Sequence, residues 1–148
     1  MNGAWYTLKY GVKLIEQGAK GGRVVNISSL AGLSGVCYKS GTSHYGTSKH
    51  ALCGLTKIMA LEYAPDKIRI NAIAPTAIET DMIRKFLADA PDKEQAHAAI
   101  RRTNPLVGPG DALPQIDDVT GVVAFLCGPE SKFINGAIIP IDGGYNCN

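Results

Sequence analysis

Apolar residues recur at helical spacing in the first part of the chain. Trp5, Leu8, Val12 and Ile15 lie three or four positions apart. This spacing predicts a helix that buries one face and ends at the glycines that begin with Gly18.

Short β-branched and apolar runs alternate with further helical patterns. The predicted strands are 23–29, 68–74 and 136–143. The first predicted helix after the first of these strands is 45–63, with the apolar stripe Leu52, Leu55, Ile58 and Met59. Two further helices are predicted at 81–88 and 92–102. A last helix is capped by Asp117 or Asp118 and runs through Leu126. Strands that alternate with helices predict right-handed crossovers and a parallel sheet.

The predicted sheet is small for its class. An α/β doubly wound fold normally has more than three strands, and its sheet is covered on both faces. The first strand, 23–29, would have an open edge although its sequence is of the buried type. We therefore expect residues 1–148 to form one partial domain, the C-terminal half of a doubly wound fold.

Composition and charge narrow the class of protein. With 45% hydrophobic and 19% charged residues among 148, the chain has enough apolar material for one core. The net charge is +2, and the isolated basic pairs at 84–85 and 101–102 are typical of solvated helix faces rather than a nucleic-acid surface. No apolar run reaches the roughly 18 residues that a membrane span requires, so we expect neither nucleic acid nor membrane as a partner.

The cysteines, at positions 37, 53, 127 and 147, form no C-x-x-C pair and have no accompanying histidine spacing. This pattern argues against a zinc site and against a secreted disulfide scaffold. We expect free thiols in a cytoplasmic protein without a bound metal. His44 adjoins Tyr45 and either makes a local hydrogen bond or touches a substrate.

Three residues carry candidate chemistry. Tyr45 and Lys49 lie four positions apart on the second predicted helix, so they share one face. A lysine ammonium so placed favours the phenolate form of a tyrosine, which suits general acid–base work. Ser29 ends the first predicted strand, where open α/β sheets bind ligands and a hydroxyl is able to hydrogen-bond a carbonyl or alcohol oxygen. Alone, a tyrosine and a lysine at this spacing are more often a surface pair.

The motifs around these residues strengthen the chemical interpretation. The chain reads N-I-S-S-L-A-G at 26–32, Y-G-T-S-K at 45–49, N-A-I-A-P at 71–75 and I-D-G-G at 141–144. In this order they resemble the N-x-S-S-x-x-G, Y-x-x-S-K and N-x-x-x-P-G motifs of the short-chain dehydrogenase/reductase family. The resemblance covers essentially the whole chain and implies the C-terminal half of a Rossmann-like, NAD(P)-dependent oxidoreductase.

The resemblance implies a catalytic role for each matched residue. Tyr45 would exchange a proton with the substrate oxygen, and Lys49 would assist the tyrosine and hydrogen-bond the nicotinamide ribose. Ser29 would orient the substrate oxygen, because Gly32 follows it at the family's spacing; Ser28 is the alternative serine.

The cofactor contacts are also implied by the resemblance. Pro75, Ile78 and Thr80 would hold the nicotinamide carboxamide of NAD or NADP, and Tyr45 and Lys49 would also contact the cofactor. The cofactor would carry the hydride to or from a small carbonyl or secondary-alcohol substrate.

Two further regions have roles by resemblance. Segment 78–114 would form a variable substrate lid, and its apolar side chains would line a pocket or pack inward; these are Met82, Ile83, Phe86 and Leu87. The first two helices of the chain would pack against a partner subunit, so a homo-oligomer is expected, with Trp5 and Tyr6 in the core or at the subunit contact.

The chain departs from the family pattern within the matched motifs. Thr76 stands where the family has glycine after Pro75, so the loop beside the nicotinamide is expected to be rearranged. Sixteen positions separate Ser29 from Tyr45, slightly more than usual, and the extra residues at 37–42 either shape the substrate site or form a neutral surface loop.

A larger departure concerns the N-terminal half of the family's fold. The glycine-rich turn that would cradle the pyrophosphate and the residue that separates NAD from NADP have no counterpart here, so the choice of cofactor stays open. The family's catalytic asparagine would precede Met1, so Asn2 is not expected to be that residue. The alternative to an active enzyme is a truncated, non-catalytic fragment or a module that dimerises through its first two helices.

Overall fold

The computed structural model describes residues 2–18, 20–36 and 42–147. Its regular elements, in chain order, are helix α1 (Asn2–Gln17), strand β1 (Gly22–Ile27), helix α2 (Ser43–Glu62), strand β2 (Ile68–Pro75), helices α3 (Asp81–Asp89), α4 (Lys93–Arg102) and α5 (Asp117–Cys127), and strand β3 (Ile138–Ile141). The strands form one parallel sheet in the order β1-β2-β3. The expected α/β fold class is confirmed, and β1 is an edge strand as anticipated.

The central strand β2 is the most deeply buried part of the chain. Ile70, Ala72, Ile73 and Ala74 are each 0% exposed, as expected for a parallel strand that is covered on both faces. At the edge of the sheet, by contrast, Ile27 at the end of β1 is 52% exposed.

The main core lies between the sheet and helices α1 and α2. It consists of Leu8, Val12, Leu52, Leu55, Met59, Ala60, Ile68 and Ile70. One residue of each predicted apolar stripe is exposed in the single chain, Trp5 at 43% and Ile58 at 66%. In α1 the buried face begins with Ala4, four positions before Leu8, and in α2 Ile58 is turned about 100° around the helix from the buried Met59.

Several predicted boundaries shift by one or two residues. β1 ends at Ile27, so the two serines that were predicted to end the strand follow it instead. β3 is shorter than 136–143 because Gly136 and Gly143 adopt positive φ values of 74° and 60°, which break the extended backbone. Neither aspartate is the N-cap of α5; the cap is Ile116, and the Asp118 carboxylate accepts a hydrogen bond from the Gln115 N–H at 2.7 Å.

None of the helices in the described ranges combines the length and the apolar character that a membrane crossing demands.

Candidate active site

Two adjacent serines follow β1, and they face different surroundings. Ser28 is 4% exposed; its hydroxyl donates to the Lys49 carbonyl at 3.2 Å and lies 3.1 Å from the Cys53 Sγ, so it points into the contact with α2. Ser29 is half-buried and begins the 3-10 turn Leu30–Gly32, where its Oγ accepts the Ala31 N–H at 3.2 Å. The Ser29 hydroxyl therefore keeps its proton available to another oxygen at the carboxyl end of β1.

The glycine of this motif permits the close packing of the turn on α2. A Cβ at Gly32 would lie 2.6 Å from the Ser28 Oγ and 2.8 Å from the Lys49 carbonyl oxygen. Any larger residue would push the turn, and Ser29 with it, away from the helix that carries Tyr45.

Tyr45 and Lys49 lie in the first two turns of α2, one above the other. The Lys49 Nζ is 5.6 Å from the centre of the Tyr45 ring and donates a hydrogen bond of 2.9 Å to the Ile27 carbonyl. This bond anchors the ammonium to the last residue of β1, two positions before Ser29. The structure thus brings all three candidate catalytic residues to the carboxyl end of one strand, with the Tyr45 ring 44% exposed.

Asparagines fix the strands behind the site, and sequence reasoning assigned them no role. The Asn26 amide donates to the Thr56 hydroxyl of α2 at 2.9 Å. Asn71, 1% exposed, donates to the Ile134 carbonyl at 3.0 Å and accepts the Ala137 N–H at 2.9 Å, which joins β2 to the segment before β3. A polar amide inside an otherwise apolar strand was the available signal, because buried amides require partners.

The expected cofactor residues Pro75, Ile78 and Thr80 are half-buried and lie at and beyond the carboxyl end of β2. The Thr80 Oγ1 accepts the Ile83 N–H at 3.5 Å and caps α3. Within the described part of the chain, the backbone N–H groups of Ile78 and Thr80 make no hydrogen bond. These two donors, together with the unused donors on Lys49, suit a carboxamide oxygen and ribose hydroxyls.

Thr76, which replaces the family's glycine, adopts no left-handed conformation. Its N–H donates to the Ile141 carbonyl at 3.0 Å, and its hydroxyl donates to the Thr103 carbonyl at 2.7 Å. The residue therefore ties the end of β2 both to β3 and to the end of α4.

Segment 78–114, which was expected to form the substrate lid, contains the two helices α3 and α4 and a small core of its own. Leu87, Ile100 and Leu113 are buried together, and Ile83 packs against them. Met82 and Phe86 are 74% and 49% exposed. Of the four apolar residues named for this segment, two pack inward and two face outward.

The C-terminal turn closes on the loop after β1. The buried Asp142 carboxylate accepts the Gly144 N–H at 3.0 Å and the Asn146 side-chain amide at 2.7 Å. The Ser34 hydroxyl in turn contacts the Asn146 side chain. Gly143 and Gly144 have φ values of 60° and 91°, which explains why this turn requires two glycines.

A cavity of about 680 Å³ lies beside Tyr45, and His44, Ser48 and Ala51 are among its lining residues. Of the inserted residues 37–42, positions 37–41 lie outside the described residues, so their expected part in this wall stays a prediction. Across the described ranges, no group of histidine, cysteine, aspartate and glutamate side chains is placed to hold a metal ion.

The comparisons with known proteins identify the family of the chain. A family model described as enoyl-(acyl carrier protein) reductase matches residues 1–146. The chain is 36% identical to the (-)-trans-carveol dehydrogenase of Rhodococcus erythropolis over 97% of its own length and 53% of that protein. It is also 36% identical to the levodione reductase of Leifsonia aquatica, with 97% and 52% covered. The chain belongs to the short-chain dehydrogenase/reductase family.

Solved structures show the same fold. The chain matches ElxO with NADP bound at a TM-score of 0.81 and 36% identity, over 99% of this chain and 54% of that one. It matches the crystal structure of levodione reductase at a TM-score of 0.79 and 33% identity, over 97% and 54%. The chain thus spans about half the length of the relatives it matches.

Proposed function

We propose that the protein is an NAD(P)-dependent oxidoreductase that transfers a hydride between the nicotinamide and a carbonyl or secondary alcohol. One observation carries the proposal. The Lys49 ammonium is anchored to the Ile27 carbonyl and lies 5.6 Å from the Tyr45 ring, at the strand end that also presents Ser29. A tyrosine, a fixed cation and a hydroxyl at the ligand-binding edge of a parallel sheet are the parts of a proton-transfer site.

In this proposal Tyr45 is the general acid and base. During reduction its hydroxyl donates the proton to the carbonyl oxygen, and during oxidation the phenolate accepts the proton of the alcohol. Lys49 stabilises the phenolate electrostatically. Ser29 donates its hydroxyl hydrogen bond to the substrate oxygen, while Ser28 keeps the turn packed on α2, so Ser29 is the serine we assign to the reaction.

The residues present fit the nicotinamide end of NAD or NADP. Ile78 and Thr80 offer unpaired N–H donors for a carboxamide, and Lys49 has donors left for a ribose. When bound, the cofactor supplies or accepts the hydride. Among the relatives, ElxO contains NADP and 4-hydroxyisoleucine dehydrogenase is complexed with NADH, so neither cofactor is favoured for this chain.

The proposal is tested by Tyr45→Phe, which removes only the reacting hydroxyl. With a panel of secondary alcohols and both oxidised cofactors, we expect turnover to fall by about 10²–10⁴-fold, the usual contribution of general acid–base catalysis. Tyr10→Phe, a matched loss of a hydroxyl from an exposed ring on α1, should leave turnover unchanged. Equal turnover of the Tyr45→Phe and unaltered proteins would contradict the assignment.

A second candidate function is self-association without catalysis, which the outer faces of α1 and α2 favour. These neighbouring helices share one core, yet they expose large apolar side chains: Tyr6, Tyr10, Leu14, Ile58 and Leu61. Large apolar side chains exposed on neighbouring helices favour a subunit interface. If association is the whole function, the protein will bind neither NADH nor NADPH in a fluorescence titration, and Leu61→Lys will convert a dimer to a monomer in light scattering.

A further inference from the structure

The amino ends of β1 and β2 open onto a cavity of about 520 Å³, at the opposite end of the sheet from Tyr45. Five of its lining residues are basic: Lys20, Arg23, Lys67, Arg69 and Lys132. Among the described residues that line it there is no carboxylate. A six-residue strand separates the two ends of the sheet by roughly 20 Å, so this basic cavity is distinct from the candidate active site.

Most of these cations have no protein partner. In the part of the chain that the structure describes, the side chains of Lys20, Arg23, Lys67 and Lys132 make no hydrogen bond or ion pair, and both ion pairs belong to Arg84. Arg69 differs from them, because its guanidinium donates to the carbonyls of Ile134, Leu126 and Gly128.

The backbone is strained where it gathers the cations. Gly21 has a φ of 70°, and a Cβ there would lie 2.6 Å from the Lys67 carbonyl oxygen. This close approach places Lys20 and Arg23 beside Lys67. Lys67 itself has a φ of 59°, the single left-handed conformation of a non-glycine residue in the described ranges. A lysine there is unfavourable relative to a relaxed backbone, and strained residues of this kind cluster at ligand sites.

The fold offsets only part of the positive charge. Helices α1 and α2 both end near the cavity, and each helix C-terminus carries roughly −0.5 of an elementary charge. Burial, and then the like charge of Arg23 on the neighbouring strand, lower the pKa of Arg69.

We propose that the basic cavity is a binding site for a phosphate-bearing anion. Lysine ammonium groups and an arginine fork are the donors that phosphate oxygens prefer, and the volume is that of a small-molecule site. Phe133 at the rim is 99% exposed, so its ring is available to an apolar or flat group on the ligand. A nucleotide and a phospholipid headgroup share this chemistry.

The first test uses inorganic tripolyphosphate in a calorimetric titration of the protein. We expect binding that weakens as salt is raised. Lys67→Asn removes one cation and keeps a residue that tolerates positive φ, so the fold is preserved. It should weaken binding by about tenfold, the value of one charge-assisted hydrogen bond. Lys85→Asn, the same change at an exposed position of α3, should have no effect.

A second test separates the two sources of phosphate. The protein is sedimented with phosphatidylcholine vesicles that either contain or lack phosphatidylinositol phosphate, and it is titrated with ATP. Binding to ATP alone assigns a soluble nucleotide, whereas Lys67-dependent sedimentation with the charged vesicles assigns a lipid headgroup. Absence of binding to tripolyphosphate, ATP and charged vesicles, or equal binding by the Lys67→Asn and Lys85→Asn proteins, overturns the proposal. These readouts do not involve turnover and are independent of the proposed oxidoreductase.

Discussion

The two ends of the sheet hold their lysines in different ways. At the carboxyl end, Lys49 is bonded to the Ile27 carbonyl and lies over the Tyr45 ring, so its position is determined by neighbours on two elements. At the amino end, Lys67 and Lys132 line a cavity without a partner in the described residues. In the functions proposed above, the charge that the protein itself anchors positions a reacting group, whereas the charges left without partners in the described residues bind a ligand that brings the opposite charge.

The origin of the charges also differs between the two ends. The carboxyl-end pair comes from one helix at a spacing of four positions, so local geometry alone brings it together. The amino-end cations come from the turn before β1, from β1 itself, from the turn before β2, from β2, and from the segment before β3. Only the parallel register of the strands places these segments side by side.

After Tyr45→Phe, the largest effect on turnover should come from Ser29 at the carboxyl end of β1. Ser29→Ala removes the donor to the substrate oxygen, so turnover of a secondary alcohol should fall by about 10²–10³-fold, as for other donors to a developing oxyanion. Ser28→Ala is the matched control, and it should retain most turnover while lowering stability by about 1 kcal/mol because a buried hydrogen bond is lost. If Ser28→Ala is the more damaging to turnover, the assignment of the two serines is reversed.

A smaller effect should distinguish Arg69 from the other cations at the amino end. Arg69→Met leaves part-buried carbonyls without their donor, so the free energy of unfolding in urea should fall by about 2–3 kcal/mol. Arg23→Met removes a like charge that has no partner, so stability should stay equal or rise slightly. A comparable loss in both variants would show that Arg23 has a structural role and would weaken the contrast between the two ends.

The hydrogen bond that joins Thr76 at the end of β2 to segment 78–114 should contribute less to stability. Thr76→Val deletes the hydroxyl that donates to the Thr103 carbonyl at 2.7 Å, and thermal unfolding should show a loss of about 1 kcal/mol. Thr120→Val, at an exposed position of α5, serves as the control and should change stability by only about 0.5 kcal/mol or less. Equal losses of stability in the two variants would mean that the Thr76 hydrogen bond does not stabilise segment 78–114.

The smallest effect should be a pH dependence of stability that arises from Glu79 in segment 78–114. The hydrogen bond from the Gln115 amide, followed by that from Arg84, lowers the pKa of Glu79 below its ordinary value of 4.5. The carboxylate therefore adds stability that is present above pH 4.5 and is lost as pH falls through the lower folded value. Thermal unfolding across this window should show the loss in the unaltered protein and a reduced loss in Gln115→Ala. An identical pH profile in both would contradict the coupling.

Much of the fold followed from local patterns, because helix and strand periodicity is a property of neighbouring residues. The order of elements and the parallel sheet were predicted, and Ser29, Tyr45 and Lys49 were selected from motifs. Burial was harder to predict, as Trp5 and Ile58 illustrate, because which side of a helix meets the sheet depends on the packing angle rather than on hydrophobicity alone.

The sequence by itself determined the family, the element order and the pairing of Tyr45 with Lys49, since short motifs or helical spacing specify each of them. Only the tertiary structure decided that Ser28 faces α2 while Ser29 stays half-exposed, and that cations from five segments meet around one cavity. The physical reason is the same in both cases. A side chain's direction and its distant neighbours are set by how strands register and helices pack, and that information is shared among residues far apart in the chain.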